Sequence, residues 1–502
     1  MSLSIVYSRA GGLDAPLVTV EVLLTNGLPA LNIVGLPETA VKESKDRVRG
    51  AILNSRFEFP VRRITINLAP ADLPKEGGRF DLAIALGILL SSEQLDINNN
   101  QQAEFLQQFE FVGELALSGD LRPVKGILPI ARQAKKQHRT LIVPEQNGQE
   151  AALIKGLKVY TARHLLDVCA FLKGEQSLAQ PQASYTEPEQ SYSLCLSDIH
   201  GQQNARRALE IAAAGQHSLL MKGPPGSGKT MLASRLNTIL PDMDEDEAEE
   251  VAALRSISGE TVSQANWRVR GFRTPHHTAS GVALVGGGSY PRPGEISLAH
   301  HGVLFLDELP EFSRKVLEVL REPLESGKIS ISRAARQVTF PASFQLIAAM
   351  NPCPCGYYGD TQNNCRCSAT QIERYQSKLS GPLLDRIDIH IEVPAISHRE
   401  LQDYTEKPET SAQVKKRVVQ AHQRQKQRRG KCNARLNNRE IEQDCLLQAE
   451  DQKVLQKSME KMKLSARAYH RILKLARTIA DLDNSEQIQL QHLTESIGYR
   501  IK

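Results

Sequence analysis

The sequence lacks the features of a secreted or membrane-spanning chain. No apolar run among its 502 residues reaches the roughly 18 residues that a membrane span requires. The N-terminal stretch MSLSIVYSRAGGLDAPLVTV has no basic region followed by an apolar one, so we expect no signal peptide. These absences predict a cytoplasmic protein with no membrane partner.

Cysteines are few, and their placement is uneven. Four of the eight, Cys353, Cys355, Cys365 and Cys367, lie in one short stretch, NPCPCGYYGDTQNNCRC, directly after the apolar run FQLIAAM. Without a secretion signal, a disulfide staple is not expected there. Four thiolates spaced C-x-C-x₉-C-x-C can close a tetrahedral shell around Zn²⁺ that leaves no open position for catalysis. Zinc is the favoured interpretation, with free structural cysteines and redox chemistry as the alternatives.

Neither sign of charge dominates the chain, which has 62 basic and 57 acidic residues and a net charge of +5. This balance does not by itself imply a nucleic-acid partner. Locally, however, residues 412–435 hold nine Lys and Arg and lack Asp and Glu altogether. A solvated helix face and a phosphate-contacting patch explain that stretch equally well.

A linker divides the chain. Residues 174–195 are rich in Gln, Ser, Glu and Pro and poor in aliphatic side chains. Strand-like and helical runs alternate before the linker, which predicts an α/β domain over residues 1–173. A second α/β segment is expected over residues 196–396, followed by charged helices with almost no strands over residues 397–502.

The segment LLMKGPPGSGKT predicts a strand that runs into a phosphate-binding loop. Backbone N–H groups of this loop would wrap the phosphates of ATP at a helix N-terminus, where the helix dipole favours anions. Lys229 would reach the β and γ phosphates, and Thr230 would bind Mg²⁺. The loop consists of Gly223, Pro224, Pro225, Gly226, Ser227, Gly228, Lys229 and Thr230.

A second motif agrees with the first. HGVLFLDELPEF predicts an apolar strand that ends in Asp307 and Glu308. Asp307 would hold Mg²⁺, and Glu308 would orient and activate the attacking water. Asn351 ends the strand FQLIAAMN, where it is placed to position the same water.

Three arginines are candidates for stabilising the charge on a transferring γ-phosphate. Arg386 lies in GPLLDRIDIHIEV, and Arg467 and Arg471 lie four residues apart in SARAYHRILKLARTIADL, on one helical face. An arginine supplied by a neighbouring subunit would require an oligomer. Each of the three, taken alone, is also consistent with an ordinary surface residue.

A third stretch, GKISISRAARQVTF, predicts two short strands around a turn that carries Arg333 and Arg336. A solvated hairpin tip is one interpretation of these two arginines. The Gly-rich stretch GVALVGGGSYPRPG predicts a mobile loop before the strand that ends in Asp307.

The stretch from FRTPHHTASG through HGVLFLDELPEF, followed by REPLESGKISISRA, AAMNPCPCG and LSGPLLDRIDIH, resembles the magnesium-chelatase-like AAA+ family. Within that family, the competence-related ComM/YifB branch is the most similar. The resemblance covers nearly the whole chain. It implies a homohexameric, ATP-driven DNA helicase that promotes branch migration during recombination of incoming DNA in natural transformation. It also implies single-stranded, forked or branched DNA as the partner, and a recombinase as a candidate partner.

The resemblance also implies residue roles. The Walker A and B residues would be Lys229, Thr230, Asp307 and Glu308, sensor 1 would be Asn351, the arginine finger Arg386 and sensor 2 Arg467, with Arg471 as its rival. The hairpin with Arg333 and Arg336 would point into the pore of the ring and grip the DNA backbone. The Gly-rich loop would be a second pore loop. The alternatives are a motor subunit of a magnesium chelatase and an AAA+ chaperone that remodels proteins.

The N-terminal region, with LAPADLPKEGGRFDLAIALGIL, resembles the Lon-type protease domain. That chemistry needs a serine nucleophile activated by a lysine. Here the nucleophile position carries Arg79 and the base position carries Leu128, so we expect no peptidase activity. The expected fold is thus an inactive Lon-like α/β domain, a P-loop α/β core with a zinc-binding loop at residues 351–367, and a C-terminal helical lid.

Overall fold

The computed structural model describes residues 2–97, 102–182, 194–288, 291–333, 336–360, 363–395, 408–462 and 464–500, without the side chains of residues 102, 333 and 336. These residues form two compact units. The first contains the described residues within 1–189 and 245–267, and the second those within 190–244 and 268–502. Half of the predicted linker, residues 183–193, lies outside the described residues.

Two sheets form the frame of the first unit. Its strands are β1 (Ser2–Arg9), β2 (Leu17–Thr25), β3 (Ala30–Val34), β4 (Arg63–Ala69), β5 (Phe109–Phe111), β6 (Glu114–Leu115), β7 (Leu121–Arg122), β8 (Thr140–Pro144) and β9 (Val159–Ala162). The first four pair in the order β1-β2-β4-β3, with β3 parallel to β4 and the other neighbours antiparallel. Strands β5, β8 and β9 form a parallel sheet, and β6 pairs with β7.

A fully buried helix, Asp81–Ser91, packs on β1 and β2. Its sequence DLAIALGILLS is apolar on all sides, as expected of a helix enclosed by protein. Gly87 allows the close approach, because a methyl group there would lie 2.5 Å from Cγ2 of Val22. The other helices of this unit are Thr39–Lys42, Ser44–Asn54, Gln102–Gln107, Ile127–Lys136, Glu145–Ala151, Leu165–Leu172 and Glu245–Ser258, with single 3₁₀ turns at Gly78–Phe80 and Gln264–Asn266.

One of these helices comes from a distant part of the chain. Glu245–Ser258 follows the phosphate-binding segment in sequence, yet it packs on the helix Ile127–Lys136 of the first unit. The acidic start PDMDEDEAEE suits a helix N-terminus, and its carboxylates pair with basic side chains of the first unit. The pairs are Lys135–Glu249 at 2.9 Å, Arg132–Glu250 at 3.3 Å and Lys155–Glu245 at 3.2 Å.

The second unit is centred on a five-stranded parallel sheet in its described residues. The strands of this unit are β10 (Leu219–Lys222), β11 (Phe272–Arg273), β12 (Gly286–Gly287), β13 (Arg292–Pro293), β14 (Val303–Leu306), β15 (Lys328–Arg333), β16 (Arg336–Pro341), β17 (Gln345–Met350) and β18 (Ile389–Glu392). The sheet has the order β11-β14-β17-β10-β18. Its strands are almost continuously apolar, as parallel strands covered on both faces must be.

Helices cover this sheet and continue to the C-terminus. They are Gln203–Gly215, Lys229–Leu236, Gly281–Val285, Glu295–Leu298, Arg314–Val319, Arg321–Ser326, Ala369–Gln376, Gly381–Leu384, Ser411–Arg429, Asn438–Asp444, Ala449–Met462, Ala466–Leu482 and Leu490–Gly498, with 3₁₀ turns at Leu196–Asp198, Leu309–Glu311 and Asn433–Arg435. The described residues after 392 contain no strand. No helix in the described part of the chain is both long and apolar enough to cross a bilayer.

The first unit contains a buried ion pair that generates a prediction about stability. Arg9 on β1 donates from Nε and Nη2 to the carboxylate of Glu110 on β5, at 2.6 and 2.7 Å, and both side chains are buried. We expect Arg9→Met to destabilise this unit by about 3 kcal/mol, because the buried carboxylate loses both hydrogen bonds and keeps only the more distant Arg139, at 3.8 Å. Faster hydrogen–deuterium exchange of β1 and β5 would measure the loss. The control Arg163→Ala removes an exposed ion pair with Glu145 and should leave exchange unchanged; equal effects of the two variants would contradict the prediction.

Candidate active site

The strand order of the second unit brings the candidate residues to one edge of the sheet. β10 lies between β17 and β18, and β14 lies on the other side of β17. Because all five strands are parallel, their carboxyl ends meet at the same edge, where ligands of open α/β sheets bind. The phosphate-binding loop follows β10, Asp307 follows β14, and Asn351 follows β17.

The loop after β10 has the backbone of an anion cradle. Gly226 and Gly228 have φ values of 75° and 83°, which favour glycine because it has no Cβ. Gly223 lies so close to the carbonyl oxygen of Val393 that any side chain there would collide with it. The helix Lys229–Leu236 starts at the end of the loop, so its free N–H groups face the same space.

Lys229 is held by the loop itself. Its Nζ donates to the carbonyl oxygens of Gly223 and Pro224, both at 2.8 Å, and lies 3.3 Å from Oδ1 of Asn351. The residue is 9% exposed. Burial lowers the pKa of Lys229, although the carboxylate of Asp307 opposes this effect. The cation therefore already occupies the position from which it can meet phosphate oxygens.

Thr230 and Asp307 form a pair of oxygen donors that suits a magnesium ion. The hydroxyl of Thr230 donates to Oδ2 of Asp307 at 2.7 Å, and both side chains are exposed to the loop. Mg²⁺ prefers hard oxygen ligands and usually keeps several waters besides one or two protein oxygens and substrate phosphates. The donor set fits that ion.

Glu308 has an unexpected partner. Its Oε2 lies 3.2 Å from Nδ1 of His277, a residue in the loop that follows β11. The backbone of Glu308 is left-handed, with φ of 51°, and its N–H donates to Oδ1 of Asp307 at 2.9 Å. The two acidic side chains thus have different surroundings: Asp307 faces the hydroxyl of Thr230, and Glu308 faces an imidazole. His277 was not among the residues identified from the sequence.

Two of the candidate arginines share one carboxylate. Arg386 is 4% exposed and pairs through Nη2 with Oε1 of Glu325, while Nη1 donates to the carbonyl oxygen of Pro382 at 2.7 Å. Arg467 is more exposed and lies 3.6 Å from the same Oε1. In the described chain these two residues are brought together with Glu325, and no hydrogen bond or ion pair joins them to the phosphate-binding loop.

Arg471 belongs to a buried network of polar side chains, unlike Arg386 and Arg467, which contact Glu325. It pairs with the buried carboxylate of Asp388, which also lies 3.1 Å from Nδ1 of His217. The other ring nitrogen of His217 lies 2.8 Å from Oγ1 of Thr478, on the helix that carries Arg471. Although burial alone would raise the pKa of Asp388, Arg471 and His217 hold it below its ordinary value. This network anchors the helix Ala466–Leu482 to the sheet.

A cavity that the sequence did not indicate adjoins the loop. Its volume is about 390 Å³, within the range of small-molecule sites. Gln202, in its lining, donates from Nε2 to the carbonyl oxygen of Ser227 at 2.7 Å, which joins the cavity to the phosphate-binding loop. The lining residues are Gln202, Gln203, Asn204, Ala205, Glu392, Pro394 and Ala395.

The four loop cysteines converge. The Sγ atom of Cys353 lies 3.4 Å from Sγ of Cys355 and 3.7 Å from Sγ of Cys365. The Sγ atoms of Cys355 and Cys365 are 3.6 Å apart. All four sulfurs, with that of Cys367, lie within 4.8 Å of one another. A tetrahedral zinc with Zn–S bonds of about 2.3 Å needs S–S separations of roughly 3.8 Å, so the cluster fits zinc.

Backbone hydrogen bonds also favour a thiolate in this cluster. The N–H groups of Tyr357 and Arg366 lower the pKa of Cys355 to about 6. Although backbone hydrogen bonds oppose it, burial and the neighbouring sulfurs raise the pKa of Cys365 and Cys367, so of these three thiols only Cys355 favours the thiolate form that binds metal. Residues 361 and 362 of the loop lie outside the described part of the chain.

The predicted hairpin is present in the backbone. β15 and β16 pair antiparallel, with Arg333 opposite Arg336 at the end of the ladder. The side chains of both arginines and the turn residues 334 and 335 lie outside what the structure describes. The neighbouring Gly-rich stretch forms the helix Gly281–Val285 and the short strands β12 and β13, and residues 289 and 290 are outside the description.

The basic stretch at 412–435 is largely neutralised within the chain. It forms the helix Ser411–Arg429 and the turn after it. Its cations face carboxylates on neighbouring helices and loops, which favours a structural interpretation over phosphate contact. The pairs are Lys415–Asp242, Arg417–Glu210, Arg417–Glu409, Lys426–Asp244, Arg428–Asp481, Arg429–Asp444 and Lys431–Glu440.

The protease-like positions of the first unit carry no hydrolytic pair. Leu128 is fully buried in the helix Ile127–Lys136. Arg79 lies in the turn Gly78–Phe80 and donates from Nε to the carbonyl oxygen of Glu76 at 3.2 Å. Burial lowers the pKa of Arg79, and neither side chain offers a hydroxyl or an amine for covalent catalysis.

Comparisons with known proteins place these features in context. Family models match three regions: "Magnesium chelatase, subunit ChlI" at residues 195–401, "Subunit ChlI of Mg-chelatase" at 20–147, and "Magnesium chelatase, subunit ChlI C-terminal" at 408–500. The competence protein ComM of Haemophilus influenzae is 56% identical over all of this chain and 98% of its own length. The uncharacterized protein YifB of Escherichia coli is 52% identical over 100% of this chain and 97% of its own length. Lon protease 2 of Bacillus subtilis is 26% identical over 36% of this chain and 35% of its own.

The geometry of the loop predicts the effect of removing its lysine. We expect Lys229→Ala to weaken binding of a fluorescent ATP analogue at least about 100-fold, because a charge-assisted contact to phosphate is lost from a buried position. Lys415→Ala is the control, since Lys415 pairs with Asp242 at 2.9 Å and, among the described residues, with none of the loop or of the cavity beside it. Undiminished binding by Lys229→Ala, or an equal loss in both variants, would refute the assignment.

Proposed function

Because this chain belongs to the magnesium chelatase subunit ChlI family, we propose that it is an ATP-driven hexameric DNA helicase that promotes branch migration when incoming DNA recombines during natural transformation. The observation that carries the proposal is the 56% identity to a competence protein over the entire chain. The family implies ATP and Mg²⁺ as ligands. The helicase activity, the DNA substrate and the ring are our inference from these features.

ATP would bind along the carboxyl edge of the parallel sheet. The loop from Gly223 to Thr230 would hold the phosphates, and the cavity beside Gln202 is placed to take the base. Thr230 and Asp307 would hold Mg²⁺, whose charge would stabilise the developing negative charge on the phosphate oxygens. Lys229, bound to Gly223 and Pro224 before ATP arrives, would exchange those carbonyl oxygens for phosphate oxygens.

Glu308 and Asn351 would act on the attacking water. Asn351 lies 3.3 Å from Lys229 Nζ, so it is close to the expected position of the γ-phosphate. Glu308 follows Asp307 directly. Once the carboxylate of Glu308 has parted from His277, it can accept a proton from the attacking water. His277 would act as a positioning residue for Glu308, because it contacts that carboxylate and no other candidate catalytic group in the described residues.

Arg386 and Arg467 would serve the active site of the neighbouring subunit. In the described chain they face Glu325 and have no contact with their own phosphate-binding loop. Glu325 is half-exposed and Arg467 is exposed, whereas Arg386 is buried, so Arg386 must part from Glu325 and become accessible before it can reach a phosphate. A γ-phosphate presented by a second copy would compete with Glu325 for both cations, which would couple hydrolysis to ring assembly.

DNA would contact the hairpin of β15 and β16 and the Gly-rich segment beside it. Residues 328–341, KISISRAARQVTFP, contain three basic residues and no acidic one. The two elements touch, because a methyl group on Gly286 of β12 would lie 2.9 Å from Cδ1 of Ile331 on β15. A movement of the hairpin would therefore be transmitted to the Gly-rich segment, and the reverse. Phosphate contacts by these cations would be independent of sequence and weakened by salt.

A chelatase-type motor subunit is the second candidate, favoured by the magnesium chelatase description of all three matching families. In that function the same ATPase would remodel a partner that inserts Mg²⁺ into a porphyrin. The ATPase site is common to both candidates, so only the stimulating ligand separates them. The cysteine cluster would carry one structural Zn²⁺ in either case.

Substrate stimulation tests the proposal. We expect forked DNA to raise the rate of phosphate release several-fold, and the chain to drive branch migration of a labelled four-way junction. The affinity for DNA should fall steeply as salt rises from 50 to 200 mM, because counterions are released on binding. Glu308→Gln should bind ATP and DNA without turnover and without branch migration. Stimulation by protoporphyrin but not by DNA would support the chelatase function, and stimulation by unfolded casein alone a chaperone; either would refute the helicase.

Mixed oligomers test the placement of Arg386. Arg386→Ala keeps its own ATP site but lacks the proposed finger, and Lys229→Ala keeps the finger but cannot bind ATP. Each variant alone should be inactive. Their mixture should regain part of the ATPase activity, because Arg386 of one chain completes the site of the other. A mixture as inactive as its components would show that Arg386 acts within its own chain.

A further inference from the structure

The cysteine loop contacts the phosphate-binding loop directly. Gly356 has a φ of 87°, and a methyl group placed on it would lie 2.5 Å from Cδ and 2.6 Å from Cγ of Pro225. Pro225 is the third residue of the phosphate-binding loop. The backbone at Gly356 therefore packs against the ring of Pro225 with no room for a side chain.

A second contact lies five residues earlier in the chain. Asn351, directly before the cysteine loop, has its Oδ1 3.3 Å from Nζ of Lys229. Between these two contacts lie Cys353 and Cys355, which are two of the four members of the cysteine cluster. Cys353 is buried, and its carbonyl oxygen accepts from the N–H of Gly356 at 3.0 Å in a tight turn.

The rest of the loop is anchored to the same region. The Nε2 of Gln376 donates to the carbonyl oxygen of Pro352 at 3.0 Å, and the N–H of Tyr358 donates to Sγ of Cys353 at 3.3 Å. A metal ion would link Cys353 and Cys355 to Cys365 and Cys367, across the chain excursion between them. Without that link, the Gln376 contact and hydrogen bonds within the loop would be left to hold the stretch between Asn351 and Gly356.

We propose that the metal of the cysteine cluster is a structural part of the nucleotide site: it fixes the backbone that supports Pro225 and Asn351, so zinc binding and nucleotide binding strengthen each other. The inference rests on the proposed zinc and ATP sites and adds the coupling between them. Coupling between two binding sites is reciprocal, so each ligand must change the affinity for the other by the same factor. Loss of zinc would consequently weaken ATP binding by that factor.

Two glycines of the loop provide a matched pair of variants. Gly356 and Gly359 have nearly the same left-handed backbone, with φ of 87° and 82°. An alanine at either position therefore carries a similar conformational cost. Only at Gly356 would the added methyl group strike Pro225, because nothing lies within 4 Å of the corresponding position at Gly359. A difference between the two variants reports on the contact with the phosphate-binding loop and not on backbone strain.

The experiment uses the full-length chain and measures zinc release to a chromogenic chelator, with and without a non-hydrolysable ATP analogue and Mg²⁺. Elemental analysis should first find about one zinc per chain. We expect the analogue to slow zinc release about fivefold or more, within the usual range of coupling between sites. Gly356→Ala should retain its zinc, bind the analogue about fivefold more weakly and lose the protection, whereas Gly359→Ala should behave as the parent chain.

The possible results separate the inference from the proposals on which it rests. A chain that contains no zinc would refute the metal site itself, and with it the coupling. A chain with zinc that binds the analogue but releases zinc at an unchanged rate would overturn the coupling alone. Equal behaviour of Gly356→Ala and Gly359→Ala would also overturn it. The measurement on the parent chain decides the matter even if Gly356→Ala does not fold.

Discussion

The parallel pairing of β10 between β17 and β18 determines where every polar group of the nucleotide site lies. The N–H of Gly223 donates to the carbonyl oxygen of Met350, and the N–H of Val393 donates to that of Lys222, so the sheet continues through the first residue of the phosphate-binding loop. Gly223 tolerates this because it has no side chain to collide with Val393. Once β10 is placed, Asn351 and Asp307 are one and two strands away, close enough to reach Lys229 and Thr230.

Arg467 and Arg471, both on the helix Ala466–Leu482, have different partners because they lie one helical turn apart. Arg471 is committed to Asp388, a buried carboxylate two residues after Arg386. Removing one partner from such a buried pair leaves an uncompensated charge, so this contact holds the helix in a fixed position on the sheet. Arg467 lies one helical turn earlier and therefore reaches Glu325, the partner of Arg386. The Arg471–Asp388 pair thus positions the exposed Arg467, which makes Arg467 the better candidate than Arg471 for a role at a phosphate.

Much of this could be predicted from local sequence, because the signals are short and continuous. The phosphate-binding loop, the strand before Asp307, the hairpin at 328–341 and the cysteine cluster each lie within one stretch of chain, and their strands and turns form as expected. His277, Gln202 and Glu325 were missed because their roles depend on which strands and helices become neighbours. The docking of Glu245–Ser258 on the first unit was missed for the same reason: nothing in an acidic, amphipathic helix reveals which distant basic helix it will join.

Charge compensation narrows the part of the surface that could make the proposed contact with DNA. From the sequence, the basic helix Ser411–Arg429 was equally consistent with a solvated face and with phosphate contact. Most of its cations have carboxylate partners in the second unit, and releasing them to a phosphate would break those pairs. The hairpin is different, since its register sets Arg333 directly opposite Arg336. Residues 328–341 include three basic side chains and no acidic one that could neutralise them within the hairpin. Under the proposed function, the hairpin is therefore a better candidate than the longer basic helix for contact with a phosphate backbone.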